Sequence, residues 1–137
     1  MDPLTTAQID QFDQVLRTTR SVRRHLDFER PLPPQVLRDC IDVAVQAPTG
    51  LAGENWRFLV VTDPVQKGAV ADLYEDVLVQ LLAEREMPMK ASHKALVERL
   101  HEIPAMIFVC VDGEPLADTA AADIAFYGSI MPAAWSL

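Results

Sequence analysis

Residues 47–64, A-P-T-G-L-A-G-E-N-W-R-F-L-V-V-T-D-P, hold a loop, a strand and the opening of a helix in one short stretch. Pro48 ends whatever helix precedes it, and Gly50 and Gly53 let backbone approach a ligand closely. Trp56–Thr62 is bulky and β-branched over a strand's length. Asp63-Pro64 then starts a long helix, with Val70, Leu73, Tyr74, Val77, Leu78, Leu81 and Leu82 at three- and four-residue steps. The loop runs from helix to strand with the wrong glycine spacing for a dinucleotide fingerprint, which needs a strand-to-helix turn. Alone, it reads more simply as an ordinary helix-to-strand connection.

Upstream, Val36, Leu37, Cys40, Ile41, Ala44 and Val45 form the stripe of a helix opened by Pro34. Before it, D-F-E-R-P-L-P-P (27–34) carries too many prolines for a helix and reads as an extended connector. Thr5 or Thr6 caps a first helix whose face is Ile9, Phe12, Val15 and Leu16, ending near Thr18–Thr19. Downstream, Pro88 interrupts the long helix, and His93–His101 resumes helical pattern until Pro104. A-M-I-F-V-C-V (105–111) is a near-continuous apolar run, as in a strand covered on both faces, and Asp112-Gly113 turns it. From Leu116 a last helix is expected, with Ala120, Ile124, Tyr127 and Ile130 inward and Pro132 in its middle. It stops at Ser136-Leu137 while still apolar, and two strands are few for an independent sheet. The expectation is a single domain, incomplete at its C-terminus or completed by a partner chain.

The bulk composition removes several function classes. The chain has 137 residues, half of them apolar, and a net charge of −8. Such an acidic protein lacks the broad basic face that nucleic-acid or polybasic membrane binding requires. No apolar run reaches membrane-spanning length and no signal-peptide pattern opens the chain, so a cytoplasmic location is expected. Cys40 and Cys110 sit in apolar contexts and read as buried reduced thiols. His25, His93 and His101 are too scattered for a metal motif, and Asp112, Glu114, Asp118 and Asp123 read as a solvated turn and helix start. No nucleophile motif is present, and Trp56 and Trp135 read as core or interface anchors.

Against this background T-T-R-S-V-R-R-H (18–25) is anomalous. Arg17, Arg20, Arg23 and Arg24 make up a third of the chain's 12 Lys and Arg. Two readings are open. Arginines at a helix C-terminus can stay solvated and offset the macrodipole. Alternatively, their forks, the Ser21 hydroxyl and backbone N–H groups form a nest for phosphate or carboxylate.

Taken in order, R-S-V-R-R, D-F-E-R-P-L-P, A-P-T-G, W-R-F-L-V-V-T-D-P, a strand after I-P-A, and S-I-M-P-A-A-W-S resemble the FMN-dependent nitroreductase family over most of the chain. The resemblance implies an α+β fold, an α/β/α sandwich with a mixed central sheet, completed as an intertwined homodimer with FMN at the subunit interface. It implies electron transfer from NAD(P)H through the flavin to nitroaromatics, quinones or similar small acceptors. Carried over by residue, Arg20, Ser21, Val22 and Arg23, with Arg24, contact the FMN phosphate and ribityl chain. Pro48, Thr49 and Gly50 lie against the isoalloxazine ring. No side chain is implied as acid or base, because the flavin carries the hydride chemistry. Thr19, Ala52 and Glu54 depart from the family's usual arginine, asparagine and glutamine. These departures keep two alternatives in view: a flavin-free binding or scaffold protein on the same fold, and a related flavin chemistry such as reductive dehalogenation or oxygen-dependent flavin breakdown.

Overall fold

The computed structural model describes residues 3–48 and 55–137. Helix α1 (Thr6–Thr18) starts where Thr5 accepts from the Gln8 backbone N–H while the Gln8 side chain accepts from the Thr5 N–H, a capping box. Helix α2 (Pro34–Ala44) takes Pro34 in its first turn, where a missing N–H costs nothing. Strand β1 (Trp56–Val61) leads to α3 (Pro64–Glu84), capped by the Asp63 carboxylate on the Gln66 N–H at 2.9 Å. A shorter helix α4 (Ala91–Arg99) runs into a 3₁₀ turn, Leu100–Glu102, ahead of strand β2 (Met106–Val111). Helices α5 (Ala120–Gly128) and α6 (Met131–Ser136) follow.

The two strands pair antiparallel, Trp56 opposite Val111 and Val61 opposite Met106. Mixed helix and antiparallel sheet agree with the α+β expectation. One sheet face carries Trp56, Phe58 and Val60 against Ile107, Val109 and Val111, and it is covered to varying depth. The other face is closed at Met106 but open at Leu59, Phe108 and Cys110. The apolar run 105–111 is therefore not covered on both sides, and Cys110 is exposed rather than buried, while Cys40 is half-buried. Alternation of faces within a strand puts every second residue outward, whatever its polarity.

Helix α3 buries Lys67, Ala71 and Leu82, spaced four and eleven residues apart on one face, and it packs on the 3₁₀ turn and α4. Lys67 donates to the Ile103 carbonyl at 2.6 Å, pinning the start of α3 to the segment entering β2. Of the periodic apolar residues, Leu82 is buried and Val70 and Leu78 are half-buried, while Leu73, Val77 and Leu81 lie exposed. Helix α2 packs on α6, where Ala44 and Ala133 are both fully buried and their small size allows close approach. The last helical region is two helices, not one. It begins at the Thr119 cap rather than Leu116, and Pro132 lies in the first turn of α6, the position a proline tolerates. Phe126 is the buried residue of α5, whereas Ile124, Tyr127 and Trp135 point outward.

Helix α1 has no buried residue: Ile9, Phe12, Val15 and Leu16 are all exposed along one stripe. The chain exposes 10623 Å² in total. A compact monomer of this mass exposes about 7,100 Å². Large apolar side chains stand exposed on α1, α3, α5 and α6.

Candidate functional site

The basic segment begins where α1 ends. The last carbonyls of a helix lack intrahelical donors, and here side chains supply them. The Thr18 hydroxyl donates to the Gln14 carbonyl and the Thr19 hydroxyl to the Val15 carbonyl, both at 2.7 Å. The Arg20 guanidinium folds back onto the Thr19 carbonyl at 2.7 Å, and Arg17 pairs with Asp13 at 3.6 Å. Part of the cluster thus serves the helix end, as one of the two sequence readings holds.

The remainder does not. Among the described residues, Ser21, Arg23 and Arg24 make no hydrogen bond or ion pair, and all three are exposed, as is Val22. Two uncompensated guanidiniums beside a free hydroxyl, in a chain of net charge −8, have the donor chemistry of a phosphate site. His25 then adopts φ 64°, left-handed backbone that histidine tolerates better than most residues. Beyond this turn Leu26, Phe28 and Leu32 become half-buried. Asp27 steadies the connector, accepting the Arg30 backbone N–H at 3.2 Å and pairing with its guanidinium at 3.0 Å.

Pro48, at the end of the turn after α2, is exposed. Thr49 and Gly50, the other expected ring-contact residues, lie outside the described residues, as do Ala52 and Glu54. No hydrogen bond or ion pair among the described residues joins Arg20–Arg24 to Pro48.

Where the chain re-enters the described structure, Asn55 extends the sheet: its backbone carbonyl accepts the Asp112 N–H, and its side-chain amide donates to the Asp112 carbonyl, both at 2.8 Å. The Asn55 Oδ1 and the indole Nε1 of the buried Trp56 are enclosed without partners. Two orphaned polar atoms at the exit of the candidate ring-contact loop are groups that a bound molecule or water can satisfy. Sequence reading took Trp56 only as an anchor; a polar residue next to a buried tryptophan after a glycine loop was the available signal.

A second constellation escaped sequence reading altogether. The Arg99 guanidinium lies 3.8 Å over the Phe28 ring while its Nε donates to both Glu102 oxygens at 3.0 Å. These hydrogen bonds hold the Glu102 carboxyl below its ordinary range and raise the Arg99 guanidinium further. The described residues contain no group of three or more His, Cys, Asp or Glu able to hold a metal, and no helix long and apolar enough to cross a membrane.

Comparison with known proteins gives three findings. The model of the nitroreductase family matches residues 16–136. Iodotyrosine deiodinase 1 from Rattus norvegicus is 33% identical over 66 residues, 48% of this chain and 22% of that protein. The crystal structure of a BluB-like flavoprotein from Clostridium difficile 630 superposes with a TM-score of 0.63 at 16% identity, covering 91% of this chain and 66% of that one. At that identity the likeness is one of fold. The chain thus spans about a fifth of the deiodinase and just under two thirds of the flavoprotein.

Proposed function

The chain belongs to the nitroreductase family, and on that premise we propose an oxidoreductase that binds FMN through its basic segment. The single observation that carries this reading is that Ser21, Arg23 and Arg24, at the element matching the family's phosphate site, have no partner among the described residues. When bound, FMN would accept a hydride from NADH or NADPH and pass electrons to a small acceptor such as a nitroaromatic or quinone. The chain's own part is to bind and orient. The Ser21 hydroxyl and the Arg23 and Arg24 guanidiniums supply donors for the phosphate, with Arg20 and the Val22 backbone alongside. Pro48, Thr49 and Gly50 are assigned to the ring.

A homodimer belongs to the same proposal. Its support is the large exposed apolar area, which a second copy of the chain can cover. In such a dimer the site is shared, one protomer bringing its Pro48 segment to the arginines of the other.

The test is direct. Purified protein should be yellow, or should quench FMN fluorescence stoichiometrically on titration, and should then oxidise NADH or NADPH in the presence of an acceptor. A colourless protein that neither quenches nor gains thermal stability from FMN refutes the reading and leaves a flavin-free scaffold on this fold. The similarity to iodotyrosine deiodinase favours one second reading, reductive removal of halogen from an aromatic substrate. Iodide release from iodotyrosine by the reduced holoenzyme distinguishes it from nitro or quinone reduction.

A further inference from the structure

The segment Thr19–Pro33 has no regular secondary structure, and the helix before it is unburied along its whole length. Something other than α1 must therefore place the arginines. Within this segment, Asp27 and Arg30 bond only to each other, and the residues that turn inward are Leu26, Phe28 and Leu32. Of these, Phe28 meets a group of fixed geometry. The planar Arg99 guanidinium shows its face to the Phe28 ring at 3.8 Å and its edge to Glu102, with Nε 3.0 Å from both carboxylate oxygens and Nη2 at 2.5 Å from one. Glu102 ends the 3₁₀ turn that packs on α3 and precedes β2, so the clamp ties the connector to the body of the fold. Only a guanidinium can do both at once; an ammonium has neither a flat face nor a fork.

We infer that Arg99 is a positioning residue for phosphate binding, setting the place of Ser21, Arg23 and Arg24 through its contact with Phe28. The inference rests on the FMN reading above. Arg99 is not itself a phosphate ligand: Glu102 occupies its Nε and Nη2 and cancels its charge. From Phe28 the chain runs back three residues to the left-handed His25, and directly beyond lie the arginines. A fixed Phe28 therefore fixes the direction in which that turn presents them.

The experiment compares FMN with riboflavin, which lacks the phosphate, by fluorescence titration of the full-length protein. Arg99→Met should weaken FMN about tenfold, the scale of one charge-assisted hydrogen bond, and leave riboflavin affinity unchanged. Arg99→Lys should fail to restore it, and Phe28→Leu, which keeps the apolar contact, should reproduce the loss. In an Arg23→Ala background, Arg99→Met should cost less than it does alone, because the two act on one contact. Unchanged FMN affinity in Arg99→Met, or equal losses for FMN and riboflavin, overturns the inference while the FMN reading stands. Should Arg99→Met melt too low to assay, Phe28→Leu decides the matter by the same two outcomes. A wild-type protein that binds FMN no better than riboflavin overturns the phosphate assignment, and the role of Arg99 with it.

Discussion

Replacing Phe12 by alanine tests the proposed dimer most sharply. Phe12 is 63% exposed at the centre of the α1 stripe. A phenylalanine presents about 200 Å², so about 125 Å² is open to solvent here. At about 25 cal/mol per Å², full coverage by a partner is worth about 3 kcal/mol on each protomer. A two-fold interface counts the change twice. Even half that coverage leaves about 3 kcal/mol in the association, about a hundredfold or more in the dimer Kd. Alanine is the best helix former, so the substitution does not weaken α1 itself, and the capping box at Thr5 and Gln8 is untouched. Sedimentation equilibrium over a concentration series gives the Kd, with far-UV circular dichroism to check that helix content is kept. A wild-type dimer whose Kd shifts by less than about threefold removes α1 from the interface, and the same substitution at Leu73 would then test α3. A wild-type protein that stays monomeric at high concentration refutes the dimer.

Three further outcomes are expected. Lys67→Met keeps the aliphatic stem but leaves the half-buried Ile103 carbonyl without its donor, so urea unfolding should show a loss of about 1–3 kcal/mol. Thr5→Ala removes the capping box and should cost about 1 kcal/mol of helix stability, read as reduced helical ellipticity with an unchanged FMN-to-riboflavin ratio. The Glu102 carboxyl is held low by the hydrogen bonds from Arg99. Such a group stabilises the fold above its unfolded pKa, about 4.3, and that contribution is lost as pH falls through the folded value. Glu102→Gln should therefore flatten the acid limb of the urea-midpoint curve below about pH 5, and a limb identical to wild type would contradict the clamp.

The starts of α1, α2 and α3 were legible because caps are local, whereas the Thr119 cap of α5 was missed. Thr5, Pro34 and Asp63 each act on backbone groups within the next turn. Burial was not, because a stripe says which residues share a face and not whether anything lies against it. Helix α3 shows this most clearly: of its periodic apolar residues Leu82 is covered and Leu73, Val77 and Leu81 are not, and the covered side also holds Lys67 and Ala71. Cys110 erred in the same way, since its apolar neighbours belong to both faces of β2. The Arg20–Arg24 segment was legible from order and composition. The Phe28–Arg99 contact was not, as it joins residues far apart in the chain and neither lies in a recognisable motif.

Where the segment sits also decides what holds an anion there. It follows the C-terminus of α1, the negative end of the helix dipole, which disfavours an anion by about 0.3–1 kcal/mol. This is the reverse of a phosphate site built on a helix N-terminus. Three donors already answer the exposed carbonyls, the hydroxyls of Thr18 and Thr19 and the Arg20 guanidinium. Those groups satisfy the helix end and so reduce its penalty, but they are then spent. Thr19 in particular, where the family commonly has arginine, gives its hydroxyl proton to the helix and not to a ligand. Arg23 and Arg24 are left to supply the attraction, and charge-assisted hydrogen bonds of about 1.5–3 kcal/mol each outweigh the residual dipole. A site of this kind draws its affinity from exposed charges rather than from buried backbone amides. Screening then acts on nearly all of it, so FMN affinity should fall steeply between low and high salt while riboflavin affinity stays flat. Equal salt dependence for the two flavins would mean that the arginines serve the helix end alone.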